Sequence, residues 1–339
     1  MLVRLKDQRL LPTFAVLMLS QAGIRDTLSL QSVGATMDNL NTHILAKLRF
    51  PLPPPDEQVA ILAFLGREMA KIDRLIEVRR KQVERLQEQR TAVIHHAVTK
   101  GLNPSVSMRP SAMRWLGNIP ADWRCVRLGV VASVKARLGW KGLTASEYID
   151  SGNYFLSTPE IKSSEIAFGN ASFITDERYF ESPEIMLQVG DVLLVKDGAT
   201  LGIVNVVRHL PGPTTVNGSI AVIRIKHYLL PSFLAYYFRS QYFQNIIQEV
   251  KGGMGVPHLF QSDIVKFKVL IPSSKEQSTI VTYLDQETEK IDKLVAKYRR
   301  EVELLAEYRA SLISHAVTGK IDVRSLVNDD NRLELAASV

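Results

Sequence analysis

Four short stretches of the chain carry side chains suited to contact with a polyanion. VKARLGWKGLTASEY, from Val134 to Tyr148, places Lys135, Arg137, Trp140 and Lys141 close together. A guanidinium forks onto guanine O6 and N7, and a lysine ammonium neutralises a phosphate. Gly139 and Gly142 have no Cβ, so the backbone there can approach a surface closely. Trp140 either packs on a sugar or anchors the loop. KDGAT contributes Lys196 and Thr200. TVNGS contributes Asn217, whose amide matches adenine N6 and N7, and Ser219. EVKGGMGVPHLFQSD contributes Lys251 and His258. Taken singly, each stretch also reads as a solvated turn. Four of them in a chain of formal net charge +7 and pI near 9.4 favour a nucleic acid. Replacing Lys135, Arg137 and Lys141 together by alanine is expected to weaken DNA binding and leave the fold intact.

Signs of catalysis are missing. There is no GxxxxGK[ST] phosphate loop, no HExxH and no GxSxG. Asp197 precedes Gly198 and reads as a turn residue rather than a catalytic acid. His96 and His315 fall at the ends of two helical patterns, where a positive ring favours the helix dipole. The single cysteine, Cys125, rules out an internal disulfide and a multi-thiolate metal site. No catalytic residue, metal or cofactor is expected on this chain.

The elements that must hold these loops are visible as a repeat. At one constant offset, Glu57-Gln58 falls on Glu276-Gln277, Lys71-Ile72-Asp73 on Lys290-Ile291-Asp292, and His96 to Thr99 on His315 to Thr318. LLPTF at 10–14 falls on LLPSF at 229–233. The first of these lies in LLPTFAVLMLSQAG, which has the look of a secretory signal. A twin in mid-chain argues instead for a Pro-led helix with a buried face, and for a cytoplasmic protein. No apolar run is long enough to span a membrane.

Within each repeat, apolar residues recur at alternating spacings of four and three. The first series runs through Leu65, Met69, Ile72, Ile76, Arg79, Val83, Leu86 and Arg90. The second runs through Leu284, Thr288, Ile291, Val295, Tyr298, Val302, Leu305 and Arg309. This is a seven-residue period. At 1.5 Å per residue a helix of ~40 residues spans roughly 60 Å and cannot bury its stripe alone. The two stripes are expected to pack on each other as an antiparallel coiled coil. The stems of Arg79, Arg90 and Arg309 would pack in the seam while their heads reach acidic residues at its edge, or the three would fix its register. Between the helices, short β-rich runs alternate with glycine turns, and one helix is expected over 231–249. The fold class is therefore α+β. Its domains are expected at 1–52, 53–101 (helical), 102–272 (globular), 273–320 (helical) and 321–339 (tail).

These residues also carry a family resemblance. RWLGNIPADWRCVRLG at 114–129, LGWKGLTASEY at 138–148 and VKDGATLGIV at 195–204 resemble the DNA specificity subunits of type I restriction–modification systems. So does the passage GVPHLFQSDIVKFKVLIPSSKEQSTIVTYLDQETEKID at 255–292, echoed by PLPPPDEQVAILAFLGREMAKID at 51–73. The resemblance implies a non-catalytic reader of double-stranded DNA. In such a subunit two recognition domains each read half of a bipartite site, and the paired helices set the gap. Methyltransferase subunits supply S-adenosylmethionine chemistry, and a restriction subunit works with ATP and Mg. One departure stands out. The segment from about 111 to 221 has no first copy in this sequence, so 1–52 matches only the closing part of a recognition domain. Self-association, or pairing with a separate half-subunit, is the corresponding expectation. The competing readings are a coiled-coil adaptor for protein partners and a stand-alone DNA enzyme.

Overall fold

The two heptad-patterned stretches form two long helices in the computed structural model, which describes residues 8–21, 24, 49–111, 113–137, 142–162, 164–251 and 257–324. In chain order the elements are α1 (Pro12–Leu19), α2 (Pro55–Lys100), β1 (Met108–Pro110), β2 (Asn118–Pro120), β3 (Arg124–Arg127), α3 (Leu128–Val131) and β4 (Ala132–Lys135). They continue with β5 (Asn153–Leu156), β6 (Ser172–Ile174), α4 (Asp176–Phe180), β7 (Val192–Val195), β8 (Val204–Val206), β9 (Thr214–Val216) and β10 (Ile220–Ile225). The last are α5 (Pro231–Arg239), α6 (Gln241–Lys251), α7 (Gln261–Ile264), β11 (Lys268–Ile271) and α8 (Ser274–Val317). The chain divides into two compact units, residues 1–85 with 293–339 and residues 86–292, so that each unit takes part of α2 and part of α8.

Among its described residues the smaller unit is built from α1 and parts of α2 and α8. Leu65 and Ile72 of α2 are buried with Leu312, Ala316 and Val317 of α8 and with Phe14 and Met18 of α1. The signal-like stretch is thus a short helix entered through Pro12 with one face in a core. Among the described residues no helix is long and apolar enough to cross a membrane. Arg309 Nε meets Asp73 at 3.1 Å and Arg79 Nε meets Glu301 at 2.5 Å, so α2 and α8 run in opposite directions here. The Arg79 guanidinium also lies 4.9 Å from the centre of the Tyr298 ring. Ile76, Val83, Val302 and Leu305 are half-buried along this stretch, and Val295 is buried.

In the larger unit the helices are again antiparallel. Ile94, Ala97 and Val98 share a core with Ile280 and Leu284, and Arg90 reaches Asp292 at 2.9 Å. Ile291 is buried and Leu86 half-buried. Arg90–Asp292 and Asp73–Arg309 occupy equivalent positions of the two repeats, with the partners exchanged. Two of the three arginines therefore find aspartates and one a glutamate. Such exposed pairs add little stability but do select a register.

The globular part of this unit is built on the antiparallel sheet β4-β10-β7-β8. Val192 and Leu194 of β7 face one core, with Phe233 of α5 and Phe243 of α6. Leu193 and Val195 face a second core, with Leu156, Val216 and Ile220. Both faces are covered, so β7 reads as a continuous apolar run rather than an alternation. A second sheet, β6-β5-β9, supplies the other wall. The single helix expected over 231–249 is two, because Ser240 is extended (φ −69, ψ 154) and its hydroxyl donates to the Tyr237 carbonyl at 2.6 Å.

Three contacts fasten the globular part to α8. Trp123, 1% exposed, donates from Nε1 to Glu276 Oε2 at 3.0 Å, and burial pushes that carboxyl above its ordinary range. The Tyr236 hydroxyl donates to Asp285 at 2.6 Å, and burial, reinforced by that carboxylate, pushes the phenol up to about 12. The third is Gln277, fully buried. Its Oε1 accepts from Leu230 N at 2.7 Å, and its Nε2 donates to the carbonyls of Tyr228 and Pro272 at 2.8 and 2.9 Å. In the helical unit Gln58 makes the same three bonds, to Leu11 N, Arg9 O and Pro53 O.

His95 makes stability depend on pH. Burial, with Lys100 nearby, holds its imidazole below the ordinary 6.5. The unfolded chain then takes up a proton before the folded one does. Stability falls as pH drops through about 6.5 and levels off once the folded imidazole is also charged. Melting curves from pH 8 to 5 should show this decline, and His95→Gln should flatten it. An unchanged profile in the variant would remove His95 as the cause.

Candidate nucleic-acid interface

Strand register decides where the four polar loops lie. In the central sheet Val222 of β10 pairs with Lys135 of β4, and Ile220 pairs with Val195 of β7. The C-terminal ends of β4 and β7, the start of β10 and the β7–β8 turn therefore meet at one end of the sheet. Main-chain bonds tie them together. Lys196 N donates to Ser219 O at 2.8 Å, and Leu259 N donates to Lys196 O at 2.8 Å. Gln261, at the start of α7, donates from Nε2 to Val134 O at 2.6 Å. The turn in β7–β8 needs Gly202, which has φ +90 and stands against Ile247, leaving a Cβ only 3.0 Å from that side chain.

Lys135 is exposed and, among the described residues, forms no ion pair. Thr200, Asn217, Ser219 and His258 are half-exposed at the same end. Asn217 Oδ1 accepts from Ser219 N at 3.1 Å, leaving its amide nitrogen directed by a turn. The His258 ring bonds to one oxygen of Asp197, and Lys196 Nζ lies 3.1 Å from the other. Asp197 is thus held between two basic groups and organises the loop. Lys251 ends α6, and no contact among the described residues joins it to this group. Trp140 and Lys141 lie outside the described residues.

Two of the expected surface cations are placed differently. Arg137 is 4% exposed. Its guanidinium donates to Val216 O at 3.3 Å, Ser182 Oγ at 3.3 Å and Thr215 Oγ1 at 3.4 Å. Burial, and then Arg178, lowers its pKa from the ordinary arginine value. Lys196 is 8% exposed, its stem running along the sheet end to Asp197. Arg137 therefore belongs to the fold, and its replacement by alanine would leave Val216, Ser182 and Thr215 without their donor. The expectation that Lys135, Arg137 and Lys141 could be replaced together with the fold intact is corrected at Arg137, which is buried.

The structure adds residues that sequence reasoning passed over. Arg178 of α4 donates to Gly142 O at 3.1 Å and pairs with Glu147 at 3.0 Å, holding the far end of the first loop. Phe260, beside His258, is 60% exposed. Neither stands in a pattern that marks it. Among the described residues the assembled surface offers the exposed Lys135 ammonium, an imidazole and several hydrogen-bonding side chains. Among the described residues there is no cluster able to hold a metal.

Comparison with known proteins gives this geometry a family. The model of the type I restriction modification DNA specificity domain matches residues 1–85 and 120–304, most of the chain. The chain belongs to this family. Similar specificity-domain proteins include the type I restriction enzyme MjaVIII specificity subunit of Methanocaldococcus jannaschii, 24% identical over 87% of this chain and 67% of its own length. The EcoBI specificity subunit of Escherichia coli is 22% identical over 88% of this chain and 64% of its own. The chain thus spans about two thirds of the length of these curated relatives. Among solved structures, a chain from a study of complex assembly and conformational transition of the type I R-M system superposes with a TM-score of 0.70. It is 18% identical and is matched over 91% of this chain and 72% of its own. The HsdS subunit from Thermoanaerobacter tengcongensis superposes with a TM-score of 0.50 at 18% identity, over 93% of this chain and 72% of its own. The specificity-domain architecture, α+β with long antiparallel helices, is thereby shared.

Proposed function

We propose that this chain is a DNA-reading subunit of a type I restriction–modification enzyme, working inside the cytoplasm. The observation that carries this is the meeting of four polar loops at one sheet end in a basic chain of the specificity-domain family. Residues 102–272 would read one half of a bipartite site, with Lys135 on phosphate and Thr200, Asn217, Ser219 and His258 on base edges or backbone. Lys251, Trp140 and Lys141 join that surface as proposals. The domain limits 1–52, 53–101, 273–320 and 321–339 carry over in the same way.

Chemistry would come from partners. Methyltransferase subunits bring S-adenosylmethionine, and a restriction subunit brings ATP and Mg. The exposed apolar residues Leu75, Val78, Leu304 and Tyr308 on the helices of the smaller unit suit docking by such a partner. The reader of the other half-site would be a second copy of this chain, or a separate half-subunit. Mass measurement of the purified complex distinguishes these. The protein-only adaptor reading has no observation of its own.

Phosphate contacts make log affinity fall linearly with log salt. The full chain, bound to a duplex selected from a random pool, should show that slope, and Lys135→Ala should reduce it by about 1 with the fold intact. Selection that yields no preferred sequence, or binding indifferent to salt, would refute DNA reading.

A further inference from the structure

We propose that Phe260 reads the methyl group of a thymine in the bound duplex; this rests on the DNA reading above. A lone exposed apolar side chain is common on proteins and means little by itself. Phe260 differs in its place and in its mounting. It stands at the sheet end where the polar loops meet, 60% exposed, with its ring 4.4 Å from that of His258 in an edge-on contact. His258 is in turn bonded to Asp197. The backbone is fixed on both sides of the ring. Leu259 is buried in the core and bonds to Lys196 O, and Gln261 bonds to Val134 O beside Lys135. The Phe260 carbonyl accepts from Asp263 N at 2.9 Å and Ile264 N at 3.1 Å, starting α7 with no help from the ring. The ring therefore does no work in the fold that would account for its position. It is presented rigidly, so little freedom is lost when it meets a surface.

The chemistry of the surface then narrows what it meets. Lys135, Thr200, Asn217, Ser219 and His258 engage a duplex by charge or hydrogen bonds. A phenyl ring can do neither. On the base edges of the major groove the one apolar group is the C5-methyl of thymine, and phenylalanine is among the side chains that contact it. Phe260 would thus discriminate thymine from cytosine at one position of the half-site.

The test uses the full chain and the duplex it selects from a random pool. Affinity is measured by fluorescence anisotropy on that duplex and on a copy with deoxyuridine in place of every thymine of the site, which removes only methyl groups. The wild type should weaken about fivefold on the deoxyuridine copy, the worth of one buried methyl. Phe260→Ala should weaken by a similar factor on the thymine duplex and then be indifferent to the exchange. Phe260→Leu should recover part of the discrimination, and both variants should melt like the wild type. A wild type indifferent to deoxyuridine, a selected site without thymine, or a Phe260→Ala variant that still discriminates would each overturn the assignment. None of these would touch the DNA reading, which fails if the wild type selects no sequence or binds without regard to salt.

Discussion

Ile72→Asp should lower the melting temperature by on the order of 10 °C, and Ile291→Asp should do the same. Both isoleucines are about 5% exposed or less, Ile72 among Leu65, Leu312 and Ala316. Aspartate there removes an apolar side chain worth roughly 2 kcal/mol and buries a carboxylate with no partner, a combination that costs about 4 kcal/mol or more. At roughly 2–4 °C per kcal/mol the shift is readily seen by calorimetry. The control is Leu75→Asp, on the same helix but 49% exposed. It should move the midpoint by a degree or two at most. Equal shifts at Leu75 and Ile72 would mean that the stripe is not the buried seam.

Gln277→Leu should be as damaging, although leucine is the more apolar residue. The amide of Gln277 is fully buried and bonded to one main-chain N–H and two main-chain carbonyls. Leucine fills much the same space and satisfies none of them. Each orphaned group costs about 1–3 kcal/mol, so the total is several kcal/mol, close to the whole stability of many domains. Urea denaturation should show a lower midpoint with an unchanged slope. Gln58→Leu should weaken the docking of α1 in the same manner. A midpoint within error of the wild type would show that water or a backbone shift satisfies these groups.

The long helices were legible because a seven-residue apolar period survives any tertiary context. Leu65, Ile72, Leu284 and Ile291 are buried where the spacing places them. The repeated Glu-Gln pair was equally visible, but its role was not, since the acceptors at Tyr228 and Arg9 lie almost fifty residues away in sequence. The recognition surface was legible only in pieces. Residue types marked four loops, while their meeting depends on the strand order β4-β10-β7-β8, set by long-range pairing. Arg137 shows the cost of reading types alone. An arginine in a glycine-flanked loop looks like a surface cation, yet Ser182, Thr215 and Val216 fold back over it. Phe260 went unmarked, since a single aromatic beside leucine stands in no pattern.

The hydrogen bonds described for the two glutamine joints all run to main chain. Arg9 and Tyr228 stand at the same place in the two repeats and share no side-chain chemistry, yet each offers its carbonyl to the glutamine in the same way. Such a coupling is blind to the cargo it carries. The side chains of the globular part can drift, or be replaced wholesale by recombination, without loosening the seat on the helix. Natural exchange of recognition modules would find its seams at the proline–glutamine passages 53–58 and 272–277, and a chimaera cut there should inherit an intact joint whatever sequence it imports.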